Sequence, residues 1–197
     1  MRSASTPMRQ PIHLPPPPLS RGVPENVSAL AAKNAPPSVP AGHLLHRTYH
    51  FSYVRRTFEK KAENYGAQIK RIAAVATVEE FWGVYTHLQR VSKLPPMTDY
   101  YLFQEGVQPM WEDDANKRGG RLLLRVQKHA SPRAFEDLCL AVIGEQFDTD
   151  DICGIACSVR FQENYLSIWV RDAKNKPAIA AVENKARGIL KLPAACV

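Results

Sequence analysis

Two apolar, alternating stretches near the end of the chain, Ile152 to Gln162 and Tyr165 to Val170, are separated only by Glu163-Asn164. So short a connection permits antiparallel pairing alone, because parallel neighbours need a crossover of about a dozen residues. Asparagine tolerates a positive φ, and the spacing predicts a two-residue hairpin turn. In that register Arg160 lies opposite Ser167 and Trp169 opposite Ser158, and alternation puts Arg160 and Trp169 on one face. The other face carries Val159, Phe161, Leu166, Ile168 and Val170 and requires a cover. The chain is thereby committed to a sheet with one dry face and one face that presents an arginine beside a tryptophan.

Three helical segments can cover the dry face. Thr77-Val78-Glu79-Glu80 has the form of a capping box, with Glu80 at the third helical position, and opens a helix expected to reach about Val91. At about 100° per residue, Phe81, Val84, Tyr85 and Leu88 share the inward arc, with Val78 and Trp82 at its edge. Ser131, read as an N-cap before Pro132, starts a second helix that stops at Gly144. Its inward arc is Phe135, Leu138, Cys139 and Val142, and Leu140 falls off that arc. Lys176-Pro177 begins a third, carrying Ile179, Val182, Ala186 and Ile189 and ending near Leu192-Pro193. Trp82 and Leu140, displaced from their core arcs, suit an exposed patch for a partner.

Further strands are expected at Tyr49 to Tyr53, Gln68 to Ala76 and Arg121 to Lys128, with a basic polar loop from Arg55 to about Gly66 and a short aromatic segment at Tyr100 to Phe103. In the last strand Leu122, Leu124 and Val126 share one face, and Arg121, Leu123 and Arg125 the other. Strands and helices interspersed without strict alternation, plus a hairpin, give an α+β fold: an antiparallel sheet with helices on one face.

Ten of the 16 prolines precede Ala41, four of them consecutive at Pro15 to Pro18. Residues 1–42 therefore read as a disordered, proline-rich basic tail, and residues 43–197 as the folded domain. Within the tail Arg2, Arg9, Arg21 and Lys33 against Glu25 make a net +3, leaving +4 of the chain's +7 for the domain. No apolar run approaches the ~20 residues that span a bilayer, and the start lacks the apolar core of a secretory signal. The expected setting is cytoplasmic, with four reduced cysteines. Cys153 and Cys157 lack the two-residue gap typical of zinc pairs, and Cys139 and Cys196 have no paired spacing. All read as buried apolar thiols, with no metal or cofactor expected.

No phosphate-binding glycine loop, nucleophile elbow or helical histidine pair with a glutamate is present, and an enzyme is not expected. Glu112-Asp113-Asp114 alone reads as a solvated turn. What stands out is a binding constellation of exposed aromatics, a carboxylate beside a tryptophan, and arginines on a sheet face. It suits a planar cationic ligand bearing phosphates, since aromatic faces attract cations, carboxylates accept from a guanine edge and arginines grip phosphate.

At these residues the chain resembles the translation initiation factor 4E family, which binds the 7-methylguanosine cap of messenger RNA. The resemblance runs from about His43 to Val197. It rests on Thr77-Val78-Glu79-Glu80-Phe81-Trp82, on Met110-Trp111-Glu112-Asp113-Asp114-Ala115-Asn116-Lys117-Arg118-Gly119-Gly120-Arg121, on Cys153-Gly154, on Ser158-Val159-Arg160-Phe161-Gln162-Glu163 and on Ile168-Trp169. Tyr53-Val54-Arg55-Arg56-Thr57, Tyr65 and Val159-Arg160-Phe161-Gln162-Glu163 resemble the 4E-homologous-protein branch, which includes the plant novel cap-binding protein.

The resemblance implies a curved antiparallel sheet backed on its convex face by three helices, with the cap slot on the concave face. It implies that Tyr65 and Trp111 sandwich the methylated base, that Glu112 accepts from the guanine edge, and that Trp169 touches the methyl group. Arg160, with Arg121, would hold the phosphates, and Asp99 would orient an arginine. It implies a dorsal surface at Val78, Trp82 and Leu140 for helical Tyr-x-x-x-x-Leu-hydrophobic motifs, in a chain acting as a monomer in translation initiation or its repression. Departures are Tyr165 for a phosphate-binding lysine, Ser52 for a tryptophan in the first strand, Leu122 for the tryptophan after the arginine, and Leu44 after His43. Members of the family usually run on beyond the position of Val197 through a final strand and a basic loop. A protein-interaction adaptor that uses the dorsal surface, with weak or lost cap binding, is the alternative.

Overall fold

The structure is a computed structural model that describes residues 42–56 and 65–191. The stretch read as the tail lies outside the described residues apart from Gly42, as do 57–64 of the expected basic loop and Cys196. Strands β1 (Leu44–Arg55), β2 (Lys70–Thr77), β3 (Thr98–Gln104), β4 (Gly120–Val126), β5 (Ile152–Val159) and β6 (Asn164–Val170) form one antiparallel, curved sheet. Its order is β2-β1-β3-β5-β6-β4. Register shifts between Phe51 and Ser52 and between Ile152 and Gly154 interrupt the ladders. Such irregularities bend strands and raise the local twist.

Three helices back the sheet: α2 (Val78–Tyr85), α3 (Ser131–Ile143) and α4 (Lys176–Leu190). Phe81 from α2, Phe135 and Leu138 from α3, and Val182 and Ala186 from α4 join Phe51, Leu102, Ile155, Leu166 and Ile168 in the larger apolar core. Alternation sends the intervening side chains to the other face. There Val54, Tyr101, Phe103, Cys153, Ala156 and Trp169 form a smaller cluster, against which Tyr65, Ile69 and Ala115 pack. A fourth, one-turn helix, α1 (Tyr65–Gln68), stands where the sequence reading had the end of a loop and the start of β2.

The capping box forms: Thr77 Oγ1 accepts from Glu80 N, and Glu80 Oε2 accepts from Thr77 N. α2 nevertheless stops at Tyr85 rather than near Val91. Thr86 Oγ1 donates to the Trp82 carbonyl, and His87 Nδ1 lies 2.7 Å from the Gly83 carbonyl oxygen. Such side-chain bonds compete with continuation of the helix. Ser131 is not the N-cap either. It is the first residue of α3, capped by Ala130 without a side-chain bond. Its hydroxyl donates to the Lys128 carbonyl and accepts from Asn164 Nδ2, a tie between helix and sheet.

The hairpin turn also differs. β5 ends at Val159, four residues intervene, and Asn164 opens β6 with its side-chain oxygen accepting from Arg160 N. Trp169 therefore faces Gly154, not Ser158, and Ser167 faces Ala156, not Arg160. The offset is an even number of residues, so every side chain keeps its expected face. Phe161 is the exception: it lies in the turn and is 65% exposed. Cys139, Cys153 and Cys157 are buried free thiols, as expected. Burial pushes the Cys153 and Cys157 thiols up to about 11 and about 12.

Candidate functional site

On the concave face, Tyr65, Trp111, Glu112, Arg121, Arg160 and Trp169 all line one cleft of about 240 Å³, together with Arg56, Tyr101 and Ser158. They come from α1, the β3–β4 loop, β4, the turn after β5, and β6. Trp169 forms the floor. It is 4% exposed and packs edge-on against Phe103 at 5.7 Å. Gly154 makes that packing possible, because a Cβ there would lie 2.5 Å from the Phe103 ring. Arg121, two strands from Gly154 in the same cross-strand row, sets its guanidinium 5.8 Å from the Trp169 ring centroid. The Trp169 indole N–H has no hydrogen-bond partner among the described residues.

The β3–β4 loop carries Trp111 and Glu112, and it is held by the two residues next in importance. Asp113 accepts from the backbone N–H of Gln108 and of Ala115. Asn116, buried, donates to the carbonyls of Gln108 and Met110. The three adjacent acids thus divide. Asp113 holds the loop, Asp114 pairs with Lys117 at 2.6 Å on the surface, and Glu112 faces the cleft. No hydrogen bond or ion pair engages the Glu112 carboxylate among the described residues, which leaves it open to donors from a ligand.

The other wall is organised by a buried acid. Asp99 on β3 is fully buried, 2.8 Å from Arg160 and 3.2 Å from Arg56. A buried carboxylate needs such partners, and two guanidiniums around it leave a net positive charge. Arg160 is fixed further by its bond to the Val159 carbonyl. The Arg56 guanidinium lies 5.4 Å from the Tyr65 ring centroid, and the Tyr65 and Tyr101 hydroxyls are 2.5 Å apart. Tyr165 is half-buried on the same face but does not line the cleft, and its hydroxyl donates to Glu163. Arg56 and Tyr101 were not singled out from the sequence. The signal was parity: Tyr101 falls on the Arg160–Trp169 side of β3, and Arg56, next after the end of β1, continues the alternation of the buried Val54.

A profile of the family described as Eukaryotic initiation factor 4E matches residues 44–197. The chain belongs to that family. Within it the 4E-homologous branch is indicated by plant relatives called Eukaryotic translation initiation factor NCBP. The protein of Oryza sativa subsp. japonica is 43% identical over 77% of this chain and 67% of its own length. That of Triticum aestivum is 45% identical over 77% and 66%. Eukaryotic translation initiation factor 4E of Homo sapiens is 37% identical over 68% of this chain. The chain spans about two thirds of the length of these plant relatives. Among solved structures, Caenorhabditis elegans eIF4E-3 in complex with the 4E-binding protein Mextli and a cap analogue superposes with a TM-score of 0.73 at 34% identity, covering 78% of this chain and 88% of that one. Ascaris suum eIF4E-3 with the m2,2,7G cap gives 0.74 at 33% identity, covering 79% and 88%.

On the helical side of this initiation factor 4E family member, Val78 is 36% and Trp82 39% exposed. Leu140 is half-buried and rests against the main core, so it is less open than its off-arc position suggested. Trp82 also lines a second cleft of about 220 Å³ with Tyr85, Leu88, Val91, Phe135 and Glu136. Val78 and Leu140 do not line that cleft. No helix among the described residues is long and apolar enough to cross a membrane.

Proposed function

We propose that this chain binds the 7-methylguanosine cap of messenger RNA in the concave-face cleft and acts in the cytoplasm in translation initiation or its repression. One observation carries the reading: four aromatic rings, an unengaged carboxylate and three arginines, drawn from distant segments, line a single cleft. Methylation at N7 makes guanine cationic, so stacking between Tyr65 and Trp111 gains an electrostatic component over plain guanine. Glu112 accepts from the base edge. Trp169 supplies the apolar floor for the methyl group. Arg160, Arg121 and Arg56 provide donors for the phosphates, with Asp99 orienting Arg160 and Arg56.

Val78, Trp82 and Leu140 take a helical partner segment on the opposite side of the molecule, by the groove mode expected for an amphipathic helix. The two surfaces work side by side, and no observation favours an adaptor without cap binding. Retention on a cap-analogue resin tests the reading. 7-Methyl-GTP should elute the protein far better than GTP, and equal elution by both would rule out recognition of the methylated base.

A further inference from the structure

Tyr65 reaches the cleft from a short element, its ring packed against the concave-face cluster. α1 is four residues long and has no buried residue. A ring that forms one wall of a stacking slot must be held at its working spacing beforehand, or affinity is lost to the cost of ordering it. Tyr101 meets that need. It lies in β3, the third strand of the sheet order, is 4% exposed, and packs edge-on against Phe103 at 6.0 Å. Ser52 stands directly opposite Tyr101 in the β1–β3 pairing. The Tyr101 hydroxyl is 2.5 Å from the Tyr65 hydroxyl. Arg56 reinforces the same ring, with its guanidinium over the Tyr65 ring and held by its ion pair with Asp99.

On the cap-binding reading of the cleft, we infer that Tyr101 is a positioning residue: its hydroxyl anchors Tyr65 as the fixed wall of the slot. Asp99, shared between Arg56 and Arg160, then sets the Tyr65 wall and the phosphate side from one buried charge. Tyr101 differs in kind from the residues that grip the ligand, because it acts through Tyr65.

The test uses the full chain with Tyr101→Phe, Tyr65→Phe and the double variant. 7-Methyl-GTP affinity is followed by tryptophan fluorescence, and amide hydrogen exchange is followed over residues 65–69. Each single variant should weaken binding about three- to tenfold, the scale of one hydrogen bond, and the double should be no weaker than the poorer single. Exchange over 65–69 should quicken in Tyr101→Phe and stay unchanged in β3, β5 and β6. Wild-type affinity in Tyr101→Phe, additive losses, or unchanged exchange over 65–69 would each overturn the assignment. If the wild type itself fails to bind 7-methyl-GTP, the cap-binding reading falls. Exchange alone then decides whether Tyr101 anchors Tyr65: faster exchange upholds the anchor, and no change removes it.

Discussion

Trp111 rests on Trp169, with ring centroids 4.2 Å apart and planes inclined by 36°. Trp169 is 4% exposed and Trp111 46%, so a fixed ring supports an open one. A planar ligand that enters between Tyr65 and Trp111 changes the surroundings of both indoles, since both line the cleft. Two of the three tryptophans should therefore report binding, with Trp82 silent on the helical side. 7-Methyl-GTP should quench emission in the wild type and in Trp82→Phe, and Trp111→Phe should lose most of the response. Trp111→Ala should lose about 1–3 kcal/mol of binding, the worth of one stacked ring. Undiminished affinity of Trp111→Ala for 7-methyl-GTP would contradict the sandwich.

Glu112 is exposed and unengaged among the described residues, so its replacement should touch the ligand and not the fold. Glu112→Gln keeps the size but offers one acceptor oxygen where the carboxylate offers two. Affinity for 7-methyl-GTP should fall by about 1.5–3 kcal/mol, the range for hydrogen bonds to a charged group. The thermal midpoint should not move. Isothermal titration alongside a melting curve separates the two effects.

Adjacent Asp113 and Asp114 should behave oppositely. Asp113 satisfies two backbone N–H groups of the loop that carries Trp111. Asp113→Ala should cost about 1–3 kcal/mol of stability by urea denaturation and should weaken cap binding as the loop loosens. Asp114 pairs with Lys117 in full solvent, and Asp114→Ala should leave both unchanged.

His50 is buried on the concave side of β1, and burial lowers its pKa, partly offset by Glu105 at 3.7 Å. The unfolded chain takes up that proton more readily than the folded one. Its contribution is complete above the ordinary histidine pKa of about 6.5 and is lost as the pH falls below it. Urea midpoints at pH 7.5 and 5.5 should differ, and His50→Gln should narrow the gap. An equal gap in both proteins would place the sensitivity elsewhere.

Trp82 lines a cleft on the helical side that shares no residue with the concave-face cleft. Trp82→Ala should abolish binding of a peptide with the Tyr-x-x-x-x-Leu-hydrophobic motif and leave 7-methyl-GTP affinity unchanged. Trp111→Ala should weaken 7-methyl-GTP binding and leave the peptide bound. Fluorescence anisotropy with a labelled peptide distinguishes them.

Much of this arrangement was legible one residue at a time. Alternation put Leu124 and Val126 toward the helices and Arg121 across from them, because the strand period admits only two faces. The capping box at Thr77 was equally local. Asn164 was read as a turn residue from its backbone tolerance, yet its side chain bridges Arg160 and Ser131, partners that no local rule could supply. Ser131 lost its cap role to the same contact. Arg56 and Tyr101 escaped notice because a residue's parity reveals its face but not its neighbours.

By itself the sequence determined the antiparallel hairpin, the dry and open faces, the helical cover, and the residue types able to hold a cationic, phosphorylated base. These follow from periodicity and side-chain chemistry, which are local. The tertiary structure alone decided the hairpin register, the division of labour among Glu112, Asp113 and Asp114, and the placing of one buried carboxylate, Asp99, between Arg56 and Arg160. Those depend on which strands lie side by side. In this sheet the pairing of β3 with both β1 and β5 brings residues more than forty positions apart into contact.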